Sequence, residues 1–197
     1  MSATLWILLA VGLALVFWAV GAYNRLVRLK NAIANAFGQI DVQLKRRYDL
    51  IPNLVEVARR YLAHEAQTLE AVIAARNQAR NAEQAAAAAP LSAQALAALA
   101  GAEQTLGAAL SKLMVVVEDY PELKADQNLR ELSEELASTE NRIGFARQAY
   151  NDQANDFNDA AQQFPTLIVA RLFNFQPPAM LEATTSEAER EPVKVRF

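Results

Sequence analysis

The first charged side chain in the sequence is Arg25, and Leu5 to Ala22 (LWILLAVGLALVFWAVGA) is almost wholly apolar. A bilayer's hydrocarbon core takes about 20 apolar residues of helix to cross. No polar stripe marks the run as one face of a soluble amphipathic helix. A cleavable signal peptide has a basic start and a shorter apolar core. Here no Lys or Arg precedes the run, and without any cysteine the chain cannot be processed as a lipoprotein. The expectation is a retained single-span anchor over residues 1–24. Trp6, Trp18 and Tyr23 lie toward its ends, where amphipathic rings favour the headgroup region. Arg25, Arg28 and Lys30 come directly after it, and positive flanks stay cytoplasmic. The N-terminus is therefore expected outside and the rest of the chain in the cytoplasm, a reducing compartment that suits a chain without cysteine.

The remainder of the chain, beyond the anchor, has the length of one ordinary domain. The net charge is only -3, but it is unevenly spread. Basic residues dominate from Arg25 to Arg60, and acidic residues dominate from Glu118 to Asp159. Complementary faces within one bundle account for such a split. No basic patch is interleaved with aromatics, which argues against a nucleic-acid partner.

Apolar residues recur at helical spacing almost throughout. Ile33, Phe37, Ile40, Leu44, Ile51, Val55, Ala58 and Leu62 line a first soluble helix that continues out of the anchor. Pro52 removes a backbone hydrogen bond and crowds the preceding turn, so a kink or a helix boundary is expected near Asp49 to Asn53. A second helix is expected over about 64–83, with Leu69, Val72, Ile73 and Arg76 inward. A connector is expected around 86–91, and Ser92 is placed to cap the next helix. That third helix has the cleanest period, Leu96, Leu99, Leu106, Leu110, Leu113 and Val117, with Glu103 on its seam. Gly101, Ala102, Gly107, Ala108 and Ala109 would let another helix approach closely, and Tyr120-Pro121 ends the element. A long fourth helix runs from near Asp126 to about Gln163. The apolar segment 166–175 is too short to span a bilayer and is read as a bundle cap or an element dipping into lipid. Residues 176–197 have no period and are expected to form a flexible tail. The fold class is thus all-α: an N-terminal transmembrane helix, then an antiparallel four-helix bundle over 25–175.

Little in the sequence supports chemistry. His64 is the single histidine, and a zinc-protease helix needs a second four residues on. Carboxylate-bridged metal bundles need paired Glu-x-x-His motifs. There is no thiol, no glycine-rich phosphate loop and no serine in a nucleophile elbow. No cofactor, metal or small-molecule substrate is expected.

The densest polar run is Asp41 to Asp49, leading into Leu50-Ile51-Pro52-Asn53. Asp41 can reach Lys45 at i,i+4, and Asp49 can pair back with Arg46 or Lys45. Either this is a recognition surface, or it is internal ion pairing to the acidic fourth helix. Arg46 and Arg47 stand roughly 36 Å beyond Ala22 along a straight helix, too far to bind lipid.

The stretches YNRLV from Tyr23, IDVQLKRRYDLIPNLVEVARRYLAHE from Ile40, YPELKA from Tyr120, ELASTENRIGFARQAYN from Glu135 and the terminal VKVRF closely resemble the LemA family of bacterial membrane proteins. The resemblance covers nearly the whole chain. It implies a bacterial inner-membrane protein with one span and a LemA-like, bromodomain-like up-and-down bundle. It supplies no catalytic residues and no cofactor. The motif residues Asp41, Gln43, Arg46, Arg47, Asp49, Pro52, Asn53, Glu140, Asn141 and Arg142 are candidates for structural pairing between the first and fourth helices, or for docking. The functional expectation is a non-enzymatic scaffold or adaptor, self-associating or binding an unidentified protein. The alternatives are a lipid-sensing or membrane-remodelling protein using 166–175, and a carboxylate-based hydrolase.

Overall fold

The computed structural model describes residues 3–181, and every regular element among them is a helix. In chain order these are α1 (Ala3–Arg59), α2 (Ala66–Ala88), α3 (Ala93–Glu118), α4 (Pro121–Ala125), α5 (Gln127–Gln162) and α6 (Thr166–Leu172). The 57 residues of α1 extend about 85 Å at the helical rise. Among the described residues α1 is the one helix long and apolar enough to cross a membrane. Its first part stands clear of the bundle, with Leu8 and Phe17 widely exposed.

From Ala22 onward α1 joins the core. Leu26, Ile33, Phe37, Ile40, Leu44, Ile51 and Leu54 are buried, and α1 lies along α5 for most of that length. The Phe37 and Tyr150 rings meet edge-on, centroids 6.2 Å apart. Short turns connect α1 to α2 and α2 to α3, so sequential helices run antiparallel and pack as neighbours. Ser92 Oγ accepts the Ala95 N–H at 3.3 Å. At the start of α5, Asp126 Oδ1 accepts the N–H groups of Asn128 at 2.8 Å and Leu129 at 3.1 Å. Those caps satisfy amides that a helix leaves open at its N-terminus. An element beyond the expected set is α4, a single turn begun by Pro121, with Glu122 in its first turn and Lys124 in its last.

Of the kink or boundary expected near residues 49–53, the boundary is absent: α1 continues through Pro52 to Arg59. Pro52 has no N–H to give the Tyr48 carbonyl four residues back. Arg76 of α2 supplies the missing donor, its Nε 2.9 Å from Tyr48 O. A cross-helix guanidinium thus replaces the bond that proline deletes. Arg76→Ala is expected to cost about 1.5–3 kcal/mol, the range for a hydrogen bond from a charged donor. In a Pro52→Ala background the cost should shrink to about 0.5 kcal/mol or less, because the alanine N–H satisfies the carbonyl itself. Urea unfolding of the four proteins of that cycle measures the difference.

The segment after α5 folds back. Val169 and Ala170 of α6 are buried, and α6 packs on both α1 and α5. Tyr23 contacts the rings of Phe173 at 4.8 Å and Phe175 at 5.6 Å. The first residues of the expected flexible tail are held as well. Asn151 receives the Leu181 N–H at 2.9 Å and donates to the Leu181 carbonyl at 2.6 Å, and Leu181 is buried. Tertiary hydrogen bonds, which carry no sequence period, fix 176–181. The rest of the expected tail, 182–197, lies outside the described residues.

Candidate functional site

The polar block of α1 faces three neighbours. Lys45 Nζ lies 2.7 Å from Asp41. Arg46 pairs with Glu135 of α5, both well exposed, a type of pair worth at most about 1 kcal/mol. Arg47 turns inward, one guanidinium nitrogen 2.8 Å from Glu103 and 2.7 Å from Glu140. Tyr48 donates its hydroxyl to the other Glu103 oxygen at 2.6 Å. Arg47 and Glu103 are only 8% and 3% exposed, so α1, α3 and α5 share one desolvated ionic knot. Burial, reinforced by the Glu103 charge, pushes the Tyr48 phenol far above its ordinary range.

The remaining candidates do not join this knot. Gln43 and Pro52 are half-buried, whereas Asp49, Asn53, Asn141 and Arg142 are exposed. Asp49 takes neither basic neighbour, since Lys45 and Arg46 are engaged elsewhere. His64 sits exposed in the α1–α2 turn. The knot also contains residues outside the sequence-based set. Glu103 carries a visible signal, a carboxylate on a leucine seam. Tyr48 carries none, since an aromatic at a seam position reads as core.

A second buried carboxyl lies on α2. Glu83 is 1% exposed, and neither of its oxygens has a hydrogen-bond donor, nor does Asp41 Oδ1. Lys45 Nζ stands 3.8 Å from Glu83, beyond hydrogen-bond range. Burial, with the adjacent Asp41 carboxylate adding to it, raises the Glu83 pKa to about 7. A proton on Glu83 gives the pair the donor it lacks. Asp41 is held below its ordinary value, its bonds to Glu83 and Lys45 outweighing its own desolvation. An unfolded Glu titrates near 4.5, so between about pH 4.5 and 7 the folded chain holds more protons than the unfolded one. Stability contributed by Glu83 is therefore full below pH 4.5 and is lost as pH rises through 7. Glu83→Gln is expected to stabilise the bundle on the order of 2 kcal/mol at pH 8 and to flatten this part of the stability–pH curve. Unfolding midpoints at pH 5 and pH 8 check it.

The bundle is open along one side. α3 and α5 hardly touch, and between them runs a groove of about 730 Å³. Its floor carries Arg47, Glu103 and Glu140, and its walls include Leu110, Met114 and Leu136. Gly107 borders this groove, and a Cβ built on it or on Gly101 meets nothing within 4 Å. The close helix approach expected at these glycines is absent, because the third and fourth long helices diverge there. A second cavity of about 410 Å³ adjoins it, and the two share Gln104 and Arg147. Glu83, whose carboxyl is raised, lines neither. Among the described residues no group of three or more His, Cys, Asp or Glu side chains is placed to hold a metal ion.

The family model described as "LemA family" matches residues 36–197, which covers α1 from residue 36 and everything after it. The chain is also similar to two magnetosome proteins of Paramagnetospirillum magneticum, MamQ 1 and MamQ 2. Each is 33% identical over 79 residues, 40% of this chain and 29% of the relative. Magnetosome protein MamQ of Magnetospirillum gryphiswaldense is 32% identical over the same extent. The matched stretch thus spans less than a third of the length of these relatives.

Proposed function

The chain belongs to the LemA family, and we propose that it is a non-enzymatic, membrane-anchored helical scaffold whose bundle binds other proteins or further copies of itself. The observation that carries this reading is the uninterrupted α1, one helix that supplies both the apolar span and a full side of the bundle. Residues 1–24 form the anchor and 25–175 the presenting body, on the cytoplasmic side of a bacterial inner membrane. The exposed Arg25, Arg28 and Lys30 at the exit of the span support that orientation. The carboxylates of the groove are bound to Arg47, an arrangement suited to holding helices together and poorly suited to proton transfer. The full chain, extracted from membranes in mild detergent after crosslinking, is expected to run as a complex or multimer. A monomer alone would overturn the proposal.

A lipid-contacting role for 166–175 has its own support. Ile168 and Leu172 of α6 are 57% and 76% exposed, and Phe164 just before the helix is 81% exposed, while Val169 and Ala170 are buried and Phe173, just past the helix, meets Tyr23 at the end of the span. An apolar strip at that height suits the boundary between headgroups and acyl chains. A single cysteine at Ile168, carrying an environment-sensitive fluorophore in vesicles, should be quenched by acyl-chain quenchers. One at Val115, also exposed, should not. Equal quenching at the two sites would remove the reading.

A further inference from the structure

We propose that the α3–α5 groove binds an extended acidic peptide segment of a partner protein, with a carboxylate of that segment on Arg147. The proposal rests on the scaffold reading and names the chemistry of its partner. Arg147 stands where the two cavities meet, is only 8% exposed, and has no acceptor among the described residues. The nearby carboxylates Glu103 and Glu140 are committed to Arg47. No Arg147 nitrogen is among the buried side-chain atoms left without a partner, so its guanidinium opens onto the cavities, where an anion can displace water, and a carboxylate matches its fork with two parallel bonds.

The rest of the groove selects a peptide over a free ion. Leu110, Met114 and Leu136 give it apolar walls that a small anion would leave wet, and methionine adapts to varied side chains. The adjoining cavity is lined in part by the non-helical residues 179–181 of the chain itself. There Asn151 holds both the N–H and the carbonyl of Leu181, and the Tyr150 hydroxyl lies 3.1 Å from the Ala179 carbonyl. These side chains are committed to the chain's own backbone, and they hold one extended segment against the cavity next to Arg147.

A peptide-display selection against the full chain in detergent micelles tests this. Enriched peptides are expected to carry Asp or Glu at one fixed position between apolar residues. Arg147→Gln should weaken their binding at least about tenfold, as loss of one partner of a buried charge pair does. Its thermal midpoint should not fall, because the replaced cation has no partner to lose. Arg147→Glu should shift the selection to Lys or Arg at that position. No enrichment, enrichment without an acidic position, or equal binding to Arg147→Gln would overturn the proposal. So would enrichment that appears only after residues 182–197 are removed, which assigns the groove to the chain's own end. Any of these results alongside crosslinked complexes in membranes would leave the scaffold reading standing.

Discussion

Glu103→Ala is expected to destabilise the bundle by about 3–5 kcal/mol, the cost of removing one partner from a buried ion pair. The variant strips Arg47 of its 2.8 Å contact and leaves the Tyr48 hydroxyl, 2.6 Å away, without an acceptor. Both groups lie in a place with little water, since Tyr48 is 1% exposed and Arg47 8%. Glu140 remains beside Arg47 at 2.7 Å, but it is far more exposed than Glu103 and gives nothing to Tyr48. Glu103→Gln should lose less, because an amide oxygen still accepts from Tyr48. The combined Arg47→Met, Tyr48→Phe, Glu103→Leu variant should recover most of the loss, since packed apolar groups replace a buried pair well. Urea unfolding in micelles, followed by circular dichroism, orders the series. A loss from Glu103→Ala below about 1 kcal/mol would mean that water reaches the knot.

Asn35→Pro is the second large effect, about 3 kcal/mol or more. Asn35 is exposed, so its side chain contributes little. The cost comes from the deleted bond to the Asn31 carbonyl and from the ring clash in that turn. Pro52 sits in the same helix and is tolerated because Arg76 covers the carbonyl it abandons. No comparable donor serves Asn31 among the described residues. Asn35→Pro should therefore bend or break α1 inside the bundle, between the buried Ile33 and Phe37. Spin-label distances across that point should broaden, whereas Asn35→Ala should leave them narrow. An unchanged distance distribution would show that α6 and α5, which also pack on α1, hold the two halves in line without the helix.

The contrast between the two prolines explains what the sequence could convey. Periodic burial was readable: Ile33, Phe37, Ile40 and Leu44 fall at the spacing that a helix face demands, and all are core. Local caps were readable too, since Ser92 and the start of α5 at Asp126 depend on near neighbours. Interactions that join distant residues were not. Arg76 and Tyr48 are 28 positions apart, and Asn151 and Leu181 are 30 apart, so neither pair leaves a period. The boundary offered beside a kink at Pro52, and the flexibility expected of residues 176–181, erred for that one reason. The motif block was recognisable as a unit, yet its residues divide between a buried knot at Arg47, an exposed pair at Arg46 and free surface at Asp49 and Asn53. Sequence spacing cannot sort those roles, because the divergence of α3 from α5 decides which side chains face the groove.

On the proposed scaffold reading, the bundle makes its contacts while α1 holds it at a membrane. The chain has no cysteine, so single cysteines introduced at the exposed positions Asn53, Ser111 and Ala137 are unique crosslinking sites. In intact membranes the expected products are heavier than the monomer, strongest from Ser111 and Ala137 beside the groove. Monomer alone from all three positions would contradict the scaffold reading.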